Sequence, residues 1–294
     1  MIPIKITDKA IIDKHYKGIY ALFQPAEIDK INMWLATYQL NFEQLIKAKP
    51  KELRCIKKRI KSGQYANWET NEIPELIKET YSKFSKFSIQ QYCGAELIRN
   101  LKITVCPYCN RTFINNFNKD GKVKRSSQID HFFPKSSKKY PYLALSFFNL
   151  IPSCYSCNHS KGSKKINLSP YELKSSDEAL KFTVSFPKEN GGYNLDNIDL
   201  QMDIVKEFKK NADEFGLEDL YSNHNDIARE IWLKGKVYSE DRIKDLLASF
   251  PDLFDSEKEI SQIIMGNHLD EEDLGKRPLS KLTRDIARDV GFIK

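Results

Sequence analysis

The feature that most constrains this chain is a pair of Cys-x-x-Cys motifs near its middle. Cys106 and Cys109 form the first motif, Cys154 and Cys157 form the second, and residues 110–153 lie between them. A gap of two residues lets both sulfurs of one turn reach the same ion, and four thiolates suit a closed tetrahedral zinc site. We therefore predict a structural Zn²⁺ that brings the two ends of this segment together.

Two redox-active pairs or two disulfides would satisfy the same spacing. Redox pairs need a thioredoxin-like strand and helix around them, which this stretch does not show, and disulfides do not suit a reducing compartment. The two other cysteines, Cys55 and Cys93, have no partner pattern. We expect them to be ordinary buried thiols.

The positive charge of the chain is concentrated around the same motifs. Residues 99–165 contain 13 basic and two acidic residues, for a net charge of +11, whereas the whole chain carries only +7. Such a window predicts an anionic partner such as nucleic acid. The most basic short run outside it is Lys49–Lys61, for which a solvated helix face is favoured over a dedicated DNA contact.

Length and composition exclude several classes of protein. With 294 residues and 40% hydrophobic content, the chain is long enough to bury a sizeable core. Its apolar runs are too short to cross a bilayer, and Met1–Tyr20 lacks the continuous apolar core of a signal peptide. We expect a cytoplasmic protein without a membrane association.

Hydrophobic periodicity predicts an α+β chain that is mostly helical. An amphipathic helix is expected over Ala26–Ile46. An Asp120-Gly121 hairpin turn follows within residues 99–165, here called the central window. Further helices are expected over Ile73–Phe84, Ser88–Leu101 and from Val205 onwards, and strands over Ser126–Phe133, Asn149–Pro152, Leu180–Phe186 and Leu195–Ile204, the last two paired. The predicted domains are an N-terminal helical region (1–100), a metal-bearing core (101–168) and a C-terminal α+β and helical region (169–294).

Candidate ligands for a metal ion and a candidate general base lie inside the central window. Asp130 and His131 are adjacent, Asn149 follows, and Asn158 comes directly after the last zinc cysteine. Carboxylate and amide oxygens suit a hard divalent ion, and a neutral imidazole can take a proton from water. This set is suited to phosphodiester hydrolysis, with Asn149 hydrogen-bonded to the backbone near His131.

The order Cys-x-x-Cys, Asp-His, Asn, Cys-x-x-Cys-Asn-x-x-Lys-Gly resembles the four-cysteine subtype of the HNH endonuclease family, which has a ββα-metal fold. The resemblance implies that His131 is the general base, supported by Asn149. It also implies that Asp130 and Asn158 hold one Mg²⁺ or Mn²⁺ ion during cleavage of DNA. His159, one position after Asn158, is the less favoured ligand.

Basic side chains of the window are the candidate phosphate contacts. We predict this role for Lys161, Lys135, Arg111 and Lys164. A second function remains open at this point, a zinc-organised nucleic-acid-binding module without catalytic activity. Such a module needs neither the Asp130-His131 pair nor an asparagine directly after its last cysteine, so hydrolysis is favoured.

Two segments, one between the cysteine pairs and one near the C-terminus, carry a narrower resemblance. Tyr142–Ser153 and Lys276–Arg284 are similar to segments of the HNH proteins of prokaryotic anti-phage systems, the Septu type in particular. That resemblance implies an effector nuclease with a regulatory ATPase partner. The flanking helices would then dock this partner, whereas the plainer interpretation makes them a packed scaffold.

Overall fold

The computed structural model describes residues 1–62, 71–86, 88, 91–119, 122–136, 139–186, 188–189, 192–193 and 198–293. Helices dominate this part of the chain, and the strands within it form small two-stranded antiparallel sheets. The predicted class, α+β and mostly helical, is therefore confirmed. Among the helices described, none is both long enough and apolar enough to cross a bilayer.

The chain divides into two compact units. The N-terminal unit comprises residues 4–106 and 113–172, and the C-terminal unit comprises residues 1–3, 107–112 and 173–294. The three-part division expected from the sequence stays a prediction.

The N-terminal unit begins with six helices: α1 (Ala10–Tyr20), α2 (Pro25–Ala36), α3 (Phe42–Lys47), α4 (Pro50–Ser62), α5 (Glu72–Ser85) and α6 (Gly94–Leu101). The single helix predicted over Ala26–Ile46 is wrong, because the chain breaks between α2 and α3. Gln39 adopts a left-handed φ of 55°, and the Asn41 side chain accepts a hydrogen bond from the backbone N–H of Gln44. This cap starts a new helix and keeps the apolar face turned to the core.

The start of α6 and the exposure of Cys55 also differ from what the sequence predicts. Helix α6 begins at Gly94 rather than at Ser88; residues 89 and 90 lie outside the described residues. Cys93 is buried as expected, but Cys55 is exposed. Cys55 lies on α4 at a position turned away from the core, which α4 contacts through Leu53 and Ile56.

The central window contains two hairpins and a short helix. β1 (Asn116–Lys119) pairs with β2 (Lys122–Arg125), while the predicted turn residues 120 and 121 lie outside the described residues. β3 (Gln128–His131) pairs antiparallel with β4 (Leu150–Ser153), and α7 (Tyr155–Lys161) follows and packs on β3. The order strand, strand, helix places the ends of all three elements near His131.

The C-terminal unit contains β5 (Leu180–Ser185), β6 (Lys188–Glu189), β7 (Gly192–Tyr193), β8 (Asp199–Ile204), α8 (Lys209–Phe215), α9 (Leu217–Ser222), α10 (Asn225–Val237), α11 (Glu240–Ser249), α12 (Glu257–Met265) and α13 (Ser280–Asp289). The predicted pairing of the strand at Leu180 with the one ending at Ile204 is confirmed. Helix α13 is polar yet buried, because Arg284 forms ion pairs with Asp177, Glu271 and Asp285.

Candidate active site

The four motif cysteines form one buried cluster. The sulfurs of Cys106, Cys109, Cys154 and Cys157 all lie within 4.8 Å of one another. Tetrahedral zinc with Zn–S bonds of about 2.3 Å requires sulfur separations of about 3.8 Å, so this donor set fits a structural zinc site. The backbone N–H of Cys157 also donates to Sγ of Cys154 at 3.4 Å, which stabilises a thiolate.

A cavity of about 490 Å³ lies beside the β3–β4 hairpin in the N-terminal unit. Antiparallel pairing sets His131 opposite Leu150 at the end of β3. The cavity wall includes Asp130, His131 and Asn158. The structure therefore brings together the three residues predicted to act directly on the reaction.

The hydrogen bonding of His131 defines its tautomer. Nε2 lies 3.0 Å from the carbonyl oxygen of Ala144, and since a carbonyl only accepts, Nε2 carries the proton. Nδ1 is then the nitrogen that can accept a proton. Burial, followed by the positive charge of Lys135, lowers the pKa of His131 to about 3. The imidazole is therefore neutral at pH 7, the form that a general base requires.

The position of Lys161 contradicts its predicted role as a phosphate contact. Its side chain is fully buried, and Nζ donates to Oδ1 of Asp130 at 3.0 Å and to the carbonyl oxygen of His131 at 2.6 Å. Lys161 lies in the last turn of α7, which packs on β3 and turns the ammonium inward. The ammonium compensates the buried carboxylate and fixes the end of β3, so it does not reach a DNA backbone.

The side chain of Asn149 hydrogen-bonds the backbone of the segment that follows His131. Its Oδ1 accepts from the backbone N–H of Phe133 at 2.7 Å, and its Nδ2 donates to the carbonyl oxygens of Phe133 at 3.1 Å and Leu143 at 2.8 Å. The Asn149 side chain is completely buried. Its bonds hold the backbone two residues after His131 rather than the imidazole ring itself.

Asn158 and His159 are adjacent but lie in different surroundings. Asn158 lines the cavity, whereas His159 is exposed and its ring stacks on Tyr155 with centroids 5.6 Å apart. Successive residues of a helix point about 100° apart, so both side chains cannot face the cavity from α7. The arrangement favours Asn158 as the ligand.

The ββα arrangement and the cysteine cluster lie within a segment that is similar to a known protein family. Residues 106–164 match the HNH endonuclease family model. The matched residues form the HNH segment, and the remainder of the chain lies outside the match. No curated protein and no solved structure gives a significant match to the chain.

The other predicted phosphate contacts of the HNH segment have different surroundings. Lys135 lines the cavity, with Nζ 5.0 Å from the ring centroid of Tyr81, and Lys164 is exposed. Arg111 belongs to the C-terminal unit, where its Nε donates to Nε2 of His224 at 2.8 Å. Lys135 is therefore the predicted phosphate contact that shares the cavity with His131.

Helix α5 forms part of the cavity wall, a contribution that the sequence motifs did not predict. Lys78, Tyr81 and Ser85 all line the cavity, and the Tyr81 ring packs edge-on against His131 with centroids 4.5 Å apart. Their spacing of three and four residues puts them on one helix face, which is the only signal the sequence offers. Helix α5 lies outside the HNH segment, so the motif could not reveal it.

Proposed function

We propose that the chain is a metal-dependent endonuclease that hydrolyses DNA phosphodiester bonds at the cavity of the HNH segment. The observation that supports this most strongly is geometric: His131, with Nε2 bonded to Ala144, shares the cavity with Asp130 and Asn158. These side chains provide a base and two oxygen donors on the wall of one open cavity. An HNH segment with a buried four-cysteine cluster is consistent with this chemistry.

In this mechanism Nδ1 of His131 takes the proton of the attacking water. The bond from Nε2 to Ala144 keeps the ring in the required tautomer. Burial opposes the imidazolium that forms, but a bound phosphodiester brings a negative charge that favours it. Substrate binding therefore raises the basicity of His131 when it is needed.

Asp130 and Asn158 would hold one Mg²⁺ or Mn²⁺ ion. A carboxylate and an amide oxygen on the same cavity wall fit a hard divalent cation. When bound, the ion neutralises charge that develops on the phosphate and on the leaving oxygen. Lys161 holds Oδ1 of Asp130 and thereby orients the carboxylate.

A zinc-organised binding module without catalysis is the alternative. It would explain the cysteine cluster and the basic window, but not the set of His131, Asp130 and Asn158 around one cavity. Incubation with supercoiled plasmid separates the two functions. An endonuclease produces nicked or linear DNA once Mg²⁺ or Mn²⁺ is added, and a binding module leaves the plasmid intact at every ion concentration.

The same proposal includes a role as the effector nuclease of an anti-phage system with an ATPase partner. It rests on the resemblance of Tyr142–Ser153 and Lys276–Arg284 to Septu-type proteins. Tyr142–Ser153 is buried, whereas Lys276 and Arg277 at the start of the second segment are exposed, so only the second segment could contact a partner directly. Affinity purification from a host that expresses the native neighbouring genes tests it: an ATPase should accompany the nuclease, and its absence would contradict this part of the proposal.

A further inference from the structure

Helix α4 presents a row of positive charge. Arg54, Lys57, Lys58 and Lys61 follow one another at spacings of three, one and three residues, which puts them on one helix face, here called the α4 basic face. Like charges four residues apart destabilise a helix by a few tenths of a kcal/mol per pair. Glu52, in the first turn, is the helix's single acidic residue. The pairs Arg54–Lys58 and Lys57–Lys61 therefore oppose the helix, although Lys61, in the last turn, interacts favourably with the helix dipole.

The α4 basic face packs on the aromatic residues that follow His131. Nζ of Lys57 lies 4.8 Å from the ring centroid of Phe133 and 5.6 Å from that of Tyr140, and Nζ of Lys61 lies 5.0 Å from the Tyr140 centroid. Both rings are buried. Cation–π contacts of this kind hold the lysine heads at defined positions while leaving their charge uncompensated.

The charge on this face is only partly neutralised. Arg54 forms a two-pronged ion pair with Glu172, at 3.0 and 2.7 Å. Lys57 and Lys61, in contrast, form no ion pair with any described residue. Burial and then the charge of Arg54 and neighbouring lysines lower the pKa of Lys57. A site with this local potential attracts anions.

The face continues to the cavity. Phe133 is followed by Pro134 and Lys135, which line the cavity wall. Lys139 directly precedes Tyr140, and its Nζ donates at 3.0 Å to the carbonyl oxygen of Ser163, another residue of the wall. Positive groups therefore extend from the cavity, past the aromatic rings, to α4.

We propose that the α4 basic face binds the phosphates of the DNA strand outside the cleaved bond, chiefly through Lys57 and Lys61. The inference rests on the proposed function for the class of ligand. A polyanion with regularly spaced charges suits a row that starts at the cavity. An anionic membrane suits it less, since Leu53, Ile56 and Ile60 of α4 are buried and leave no apolar side to insert.

Binding of a fluorescent 20-bp duplex, measured by anisotropy over a range of salt, tests the proposal in a His131→Ala background that leaves the DNA intact. Loss of two phosphate contacts should reduce the slope of log K against log salt by about 1.8, which corresponds to about 60-fold weaker binding at 0.1 M salt. We expect this of the double variant K57Q/K61Q. K57R/K61R should retain binding, because the charges remain.

The matched control is K5Q/K9Q, which removes two exposed lysines of the same unit. The affinity of this control for the duplex should stay within about threefold of that of the parent. An unchanged slope in K57Q/K61Q, an equal loss in the control, or lysine-dependent binding to phosphatidylserine vesicles but not to DNA would overturn the proposal. A wild-type chain that binds as expected yet never cuts plasmid would instead contradict the proposed function and leave this surface standing.

Discussion

Lys161 and Asp130 form a buried ion pair next to His131. The ammonium lies 3.0 Å from Oδ1 of the carboxylate, and the two side chains expose 0% and 3% of their surface. Burial of both charges is tolerated because each compensates the other, and because the ammonium also bonds the carbonyl oxygen of His131. The pair connects α7 to the end of β3.

Removal of one partner should therefore cost more than removal of both. We expect Lys161→Met to lower the free energy of unfolding by about 3–5 kcal/mol, because a charged carboxylate is left buried, and the double variant K161M/D130N to recover much of that loss. Urea unfolding of the two single variants and the double variant, in zinc-containing buffer without Mg²⁺, gives the coupling energy. Strictly additive losses would show that the two charges do not interact.

The cysteine cluster predicts one tightly held zinc ion per chain. Cys154→Ser should abolish that stoichiometry and lower the melting temperature, because structural zinc contributes directly to folding. Cys55→Ser is the matched control, since Cys55 is exposed and outside the cluster. Metal analysis of the purified proteins checks both. A zinc-free wild-type chain that folds normally would refute the structural role.

Much of the HNH segment was predictable from the sequence because its chemistry lies in short spacings. The cysteine pairs, the strands at Asp130 and Leu150, and Asn158 directly after the last cysteine all follow from local pattern. Lys161 was not predictable, because a lysine in a basic window gives no sign that helix packing turns it inward. The break at Gln39 depends on one backbone angle, and the contribution of α5 depends on tertiary packing.

Acid should destabilise the N-terminal unit through His15. Its side chain is fully buried, Nε2 donates to the carbonyl oxygen of Leu145 at 2.9 Å, and burial lowers its pKa from 6.5 to about 4. The unfolded chain therefore binds the proton more tightly. The stability that the neutral form contributes is complete above pH 6.5 and is lost as the pH falls towards 4, at no more than about 1.4 kcal/mol per pH unit.

Urea unfolding at pH 7 and pH 5 checks this contribution. Between the two pH values, the free energy of unfolding of the wild-type chain should fall by up to about 2 kcal/mol more than that of His15→Gln. His159→Gln, at an exposed position, should behave like the wild type. A His15→Gln variant with an undiminished pH dependence would assign the acid sensitivity to other groups.

The choice between Asn158 and His159 has a direct consequence for the divalent ion. Asn158→Ala should raise the concentration of Mg²⁺ or Mn²⁺ needed for half-maximal plasmid cleavage at least about tenfold, because a cavity oxygen is removed. His159→Ala should leave that concentration unchanged, since its ring stacks on Tyr155 outside the cavity wall. If His159→Ala abolishes cleavage and Asn158→Ala retains it, the assignment is reversed.

The rate of plasmid cleavage by His131→Ala, measured at saturating DNA with added Mg²⁺ or Mn²⁺, tests the central claim most directly. Loss of a general base should slow cleavage at least about 100-fold, while the zinc content stays at that of the wild type and a thermal melt shows the variant, though less stable, to be folded at the assay temperature. His159→Ala, measured in parallel, should cut at nearly the wild-type rate. Cleavage by His131→Ala at the wild-type rate would contradict the account.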